Sequence, residues 1–250
     1  MKKITLVLIV SFMFSATVSL SQKSINFGLN GTAYASWIIN QNTYGLPELE
    51  YDLKIGGGGA FNVTCNFNNN LSLQLEFDYC VRGQKYDGFQ NKIPATRDIT
   101  LTYYEIPILL KYMGKGSKTR FRFLAGPYFG ILKAAEHEYL VNGKVPNTYV
   151  KPDGLDSALV ATTDVLDRYE ENDIGIILDV GADLILSDNW FMTIALRFNY
   201  GFNDINVSAW RFPNLNGQYE PSNNFSGGLI FGINYKIPFK KKEKGVPLSN

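Results

Sequence analysis

Eight stretches of the chain alternate apolar and polar residues with the two-residue period of a β-strand: Ile25–Trp37, Leu53–Phe67, Leu71–Arg82, Thr102–Tyr112, Thr119–Ile131, Ile174–Leu186, Trp190–Phe202 and Phe225–Phe239. In the fourth, Tyr104, Ile106, Ile108, Leu110 and Tyr112 form one row. In the seventh, Trp190, Met192, Ile194, Leu196, Phe198 and Tyr200 oppose Thr193, Arg197 and Asn199. Ordinary strands run about 5 or 6 residues, and these are about twice that.

The connections follow a second pattern. Asn68–Asn70, Met113–Lys118 and Ser187–Asn189 are short; Ile38–Asp52, Gly83–Asp98, Lys133–Asp173 and Asn203–Asn224 are long, and the two kinds alternate. Tight turns on one side and long loops on the other characterise up-and-down outer-membrane barrels. The expected fold is all-β, an eight-stranded antiparallel up-and-down transmembrane β-barrel. An even strand count puts both termini on the periplasmic side.

Alternation alone does not say which face is buried. A soluble lipocalin-like barrel would turn the apolar rows inward. Three features favour the reverse. The polar rows are rich in Gly, Asn, Ser and Thr, which suit a crowded interior. Trp37, Phe67, Tyr79, Tyr112, Trp190, Tyr200, Phe202, Phe225 and Phe239 fall near strand ends, where bilayer interfaces favour rings. Each segment also meets the 9 to 11 residues that a tilted strand needs to span a bilayer. The apolar rows are therefore expected to face lipid. Pro107, Pro127 and Pro238 break the pattern, because a closed barrel has no edge on which to hide a missing donor; bulges are the expected remedy.

Composition then sets limits. With 250 residues, 24 Lys plus Arg and 23 Asp plus Glu, charge gives no case for nucleic acid. A mean hydropathy of −0.09 is what a half-apolar barrel produces. The N-terminus, MKKITLVLIVSFMFSATVSLS, has a basic start, a short apolar run and small residues at Ser19 and Ser21. It reads as a cleaved signal peptide at 1–21. The barrel then occupies 22–239, and a basic periplasmic tail follows at 240–250.

Chemistry is sparse. His137 is the one histidine and falls in the longest connection, where it reads as a solvated side chain. No HExxH, CxxC or GxSxG motif occurs. The run Gly56–Gly59 lacks the Lys-Ser/Thr of a phosphate loop and reads as room for a bulky neighbour or a sharp bend. Lys54, Glu76, Asp78, Arg82, Glu105, Lys111, Arg120, Arg122, Asp179, Asp183, Arg197 and Lys236 fall on the polar face. In eight strands they read as a paired plug rather than an ion path. Cys65 and Cys80 lie on opposite faces and are expected to stay unpaired. No catalytic, cofactor-binding or metal-binding residue is assigned.

At YYEIPILLKY, Tyr103–Tyr112, the sequence resembles the PorT-like outer-membrane β-barrel family of the Bacteroidetes. Gly126-Pro127-Tyr128 matches its GPY strand. Asp173, Gly175 and Gly181 match a DxG…G strand, and Arg197, Tyr200 and Gly201 an RxxYG strand. The chain departs after Phe239, where KKKEKGVPLSN follows a final aromatic at which members usually stop. The resemblance implies an eight-stranded outer-membrane barrel, with no catalytic residues or cofactor to carry over. Its name-giving member serves type IX secretion. The expectation is thus a non-enzymatic barrel, surrounded by outer-membrane lipids, that engages an unidentified protein partner through its long loops or its tail. Secretion machinery is the partner the resemblance implies. The alternatives are an outer-membrane enzyme acting on lipid or peptide, which would depend on His137 for any Ser-His pair, and a soluble periplasmic binder.

Overall fold

The computed structural model describes residues 24–41, 49–90, 92–145, 149–150, 157–158, 163–211, 213 and 217–239. The expected signal peptide and the tail from Lys240 lie outside them. Eight long strands dominate: β1 (Ser24–Ile39), β2 (Lys54–Asn66), β3 (Leu71–Gln90), β4 (Ile93–Met113), β5 (Thr119–Val141), β6 (Asn172–Ile185), β7 (Trp190–Gly201) and β8 (Asn223–Pro238). Each pairs antiparallel with its sequence neighbours, and β8 returns to β1, so the sheet closes into a ring of eight strands.

The pairing register fixes the shape of the ring. The Cα partners run Ser24, Asn66, Ser72, Lys111, Leu124, Asp179, Arg197, Gly228 and back to Tyr34, ten residues along β1 from the start. A stagger of that size over eight strands corresponds to a tilt of about 40° and a radius of about 8 Å. Inward side chains meet across such a ring.

Every second residue is apolar and exposed on the outside. Leu29, Phe61, Phe77, Ile108, Phe123, Leu178, Leu196 and Phe231 are examples, one from each strand. Their inward neighbours, such as Asn30, Asn62, Glu76, Arg122, Asp179 and Arg197, are buried. A soluble lipocalin-like barrel has the opposite arrangement, so that alternative is excluded. A closed barrel with an apolar exterior satisfies all backbone groups and suits hydrocarbon. Aromatic pairs edge this band. Trp190 meets Tyr235 at 4.9 Å, the rings tilted by 58°, near the short turns; Trp37 meets Phe225 at 5.8 Å and Tyr79 meets Tyr104 at 5.7 Å at the other end.

Three of the long connections are partly strand. β3, β4 and β5 run for 20, 21 and 23 residues. β3 and β4 stay paired out to Gln90 and Ile93, so most of Gly83–Asp98 is a hairpin and not a loop. Lys133–Val141 likewise belongs to β5. Beyond the apolar band the outward row carries charge, with Asp87, Lys133, Glu136 and Glu138 exposed, and Phe89 and Ile93 are exposed at the hairpin tip. These strands therefore stand out of the membrane as a three-stranded wall, to which Leu49–Asp52 adds a short fourth strand along β3.

The prolines are absorbed without bulges. The β3–β4 register is the same on both sides of Pro107, and the β4–β5 register the same on both sides of Pro127; only the bridges next to them are missing. Pro238 ends β8 opposite Ser24. The one register shift in the β4–β5 ladder lies elsewhere, between Thr102 and Tyr103, where Lys133 is the extra residue of β5. The glycine run makes room. A Cβ on Gly56 would meet the Tyr34 ring at 2.8 Å, and Tyr34 donates its hydroxyl to the Gly57 carbonyl at 3.1 Å.

Candidate functional site

The lumen is the natural place to seek a pathway or a site, and it is filled at three levels. Nearest the short turns, Lys111 donates to Asp183 at 2.7 Å, and Thr193 donates to the other Asp183 oxygen at 2.8 Å. Arg122 joins Asp183 to Asp179, at 3.6 and 3.3 Å. Arg197 donates to both Asp179 oxygens, to Glu76 at 3.0 Å and to Asp78 at 3.2 Å. Five of the eight strands, β3 to β7, thus tie into one network across the lumen. Register accounts for it: Arg197 lies opposite Asp179, and Asp183 opposite Thr193.

The second level is centred on Arg82. Its guanidinium pairs with Glu105 on the neighbouring strand and lies 5.3 Å from the Tyr103 ring and 5.8 Å from the Tyr128 ring. Tyr128 and Asn224 donate to Asp173 at 3.0 and 2.9 Å. Of the twelve charges expected on the polar face, ten enter ion pairs here or, for Lys54, with Asp98 above. Arg120 and Lys236 do not. Both sit at the short-turn mouth, and Arg120 donates through Nε to the Gly116 carbonyl.

The third level is apolar and was not foreseen. Inside the three-stranded wall, Tyr86, Ile99, Leu101, Leu132, Ala135 and Tyr139 pack with Val165, Tyr169 and Ile205 from the two long connections. Backbone bonds hold these segments in place: Val165 to Ala135 at 2.9 Å, Leu132 to Glu171 at 2.8 Å and Glu170 to Ile205 at 2.8 Å. Asp204 organises the outer segment by accepting from Tyr219, the Ser222 and Asn206 amides and Arg211. Burial, then the bond to Asp204, pushes the Tyr219 phenol up to about 12. Arg168 lies 4.1 Å from the Trp210 ring on top. The long-connection mouth is therefore capped.

His137 is not a solvated loop residue. It faces inward on β5, is 1% exposed and accepts a hydrogen bond at Nε2 from Arg97 Nε at 2.7 Å. Burial first, then the charges of Arg97 and Arg168, hold its pKa down at about 2. Cys65 and Cys80 are both free, Cys65 on the wall and Cys80 buried in the lumen against Arg82. Among the described residues no group of His, Cys, Asp and Glu is placed to hold a metal ion.

A closed eight-stranded ring with an apolar exterior and a polar interior is the architecture of an outer-membrane β-barrel. Residues 15–207 match the family described as Outer membrane protein beta-barrel domain, and the chain belongs to that family. No curated protein matches it. Among solved structures it is similar to the Neisserial surface protein A (NspA), at 13% identity and a TM-score of 0.44 over 84% of this chain and 97% of that one. It is similar to OprG from Pseudomonas aeruginosa, at 11% identity and 0.45 over 86% and 97%. It is also similar to the outer membrane protease OmpT from Escherichia coli, at 11% and 0.38 over 88% and 98%.

Proposed function

We propose that this chain is a non-enzymatic outer-membrane barrel that works through its surfaces and not through its lumen. The closed lumen carries this reading: two ion-paired layers and an apolar cap lie in series along one axis. Such a barrel anchors a rigid wall and leaves function to what projects from it. On this reading the short turns and both termini are periplasmic, a signal peptide at 1–21 is removed, and the wall of β3–β5 projects outside the cell with the 142–162 connection. An unidentified protein partner docks on that projection. Service as a secretion accessory, type IX-like as the PorT resemblance implies, is the narrower form of the reading. Against an enzyme stands the burial of His137 on Arg97, which removes the one imidazole from any exposed Ser-His pair.

Planar-bilayer recording of the folded protein tests the closed lumen: rare, small openings are expected, and stable, large conductance from single molecules overturns it. Crosslinking in native membranes then tests the surface. Deleting residues 142–162 while sparing strand Lys133–Val141 should leave folding intact and abolish the crosslinked partner. An unchanged crosslink pattern would move the contact to the tail from Lys240.

A further inference from the structure

The short-turn mouth holds a feature that the closed lumen does not explain. A cavity of about 390 Å³ opens there, between the strand ends and the first ion-paired layer. Its floor is Asp183, already held by Lys111 and Arg122. Its walls include Ser24, Asn26 and Asn66 on one side and Phe191 with the edge of Trp190 on the other. Arg120 and Lys236 also line it, and no carboxylate among the described residues lies within ion-pair distance of either. Arg120 spends only its Nε on Gly116, which leaves the two Nη groups of its fork. Asp188, exposed on the rim, is the one other charge in the lining.

We propose that this mouth is a binding site for a saccharide-sized organic anion, one carboxylate or phosphate on a hydroxylated body. The volume falls in the range of small-molecule sites, about 300 to 1,000 Å³. A guanidinium fork and an ammonium pair well with a carboxylate or phosphate. Asn66 is already bonded to Ser24, Asn26 and Ser72, which leaves the Ser24 hydroxyl hydrogen and the Asn26 amide nitrogen for a ligand hydroxyl, and Phe191 supplies an apolar face. Lys115 and Lys118 in the adjacent turn add positive charge at this end. That field concentrates anions at the mouth. The cavity lies within the ring, so lipid headgroups outside the wall do not fill it. The site is independent of which partner docks at the opposite end.

The test uses the full mature chain in phosphatidylcholine nanodiscs, with glucuronate, glucose 6-phosphate and neutral glucose as probes, read by calorimetry. At least one anion should bind at least tenfold more tightly than glucose and weaken several-fold between 50 and 500 mM salt. Arg120→Gln and Lys236→Gln should each weaken it about five- to tenfold, whereas Asp188→Asn should tighten it by removing a like charge. Heat-modifiable gel mobility confirms that each variant is folded. Equal binding of glucose and both anions, or unchanged affinity in both the Arg120 and Lys236 variants, would overturn the proposal. A weakened Asp188→Asn variant would do the same.

Discussion

Arg197 is the cation on which the lower lumen layer depends, and Arg197→Met measures what that layer contributes. The guanidinium makes bonds of 2.8 and 3.0 Å to Asp179, 3.0 Å to Glu76 and 3.2 Å to Asp78, at 4% residue exposure. The layer sets four carboxylates, Glu76, Asp78, Asp179 and Asp183, against three cations, Lys111, Arg122 and Arg197. Without Arg197, Lys111 and Arg122 remain at the Asp179–Asp183 side, and Glu76 and Asp78 face no cation. Removing one partner of a buried pair costs about 3 to 5 kcal/mol, because the other charge stays buried and unpaired. At about 1.4 kcal/mol per decade, the unfolded-to-folded ratio should rise by roughly 10² to 10⁴. Asp78→Asn is the informative companion. Asp78 accepts one bond from Arg197, and its Oδ1 has no hydrogen-bond partner among the described residues. Its loss lowers the surplus of negative charge and should cost under about 1 kcal/mol. Added to Arg197→Met, it should restore part of the loss. The assay is urea unfolding from phosphatidylcholine vesicles, followed by gel mobility and tryptophan fluorescence. An Arg197→Met barrel within about 1 kcal/mol of the parent, or an Asp78→Asn change more costly than Arg197→Met, would refute the reasoning, since 1 kcal/mol is far below the cost of stranding a buried charge.

Four further outcomes are expected. Arg in place of Leu196, Ile194 or Ile233, all exposed on the apolar band, should cost about 2 to 4 kcal/mol in vesicles; a Leu196→Arg barrel as stable as the parent would contradict the lipid-facing assignment. Cys65 and Cys80 should remain thiols after export, so intact mass should not change by two hydrogens on reduction. His137 has a folded pKa of about 2, below its unfolded value, so its contribution is complete above about pH 6.5 and is lost as pH falls, by about 1.4 kcal/mol per unit; His137→Gln should flatten the stability profile between pH 7 and 5, and an equally steep profile in the variant would exclude this role. Asp204→Ala should expose residues 203–222 to protease while the heat-modifiable barrel persists, and unchanged protection would show that Asp204 does not organise the cap.

How much of this was legible in the sequence depends on where a residue sits relative to one bulge. Within the apolar band a strict period of two carries the argument. Phe121, Phe123, Phe129 and Ile131 share a face because nothing interrupts the count, and the lumen charges follow by parity from their neighbours. The ion pairs themselves were not legible, because partners such as Arg197 and Glu76 are 121 residues apart and meet only once the ring closes with its particular stagger. Beyond the band β3 and β4 keep their phase, but on β5 the period holds while its phase changes. With Lys133 as an extra residue, Ala135, His137 and Tyr139 turn inward and Glu136 and Glu138 outward. Counted from Phe121 with Lys133 as an ordinary residue, the same stretch would bury two glutamates and expose a tyrosine, so the pattern stops at Ile131 and the rest reads as loop. A one-residue insertion in a strand has no residue signature of its own. The apolar cap was hidden for a related reason: Val165, Tyr169 and Ile205 lie in short mixed stretches without a period, and what buries them is the inward row of β4 together with the part of β5 that the phase change turns inward. The bulge at Lys133 therefore decides the chemistry of the mouth, since it exchanges a solvated histidine for one held neutral beside Arg97 and turns an open rim into a closed one.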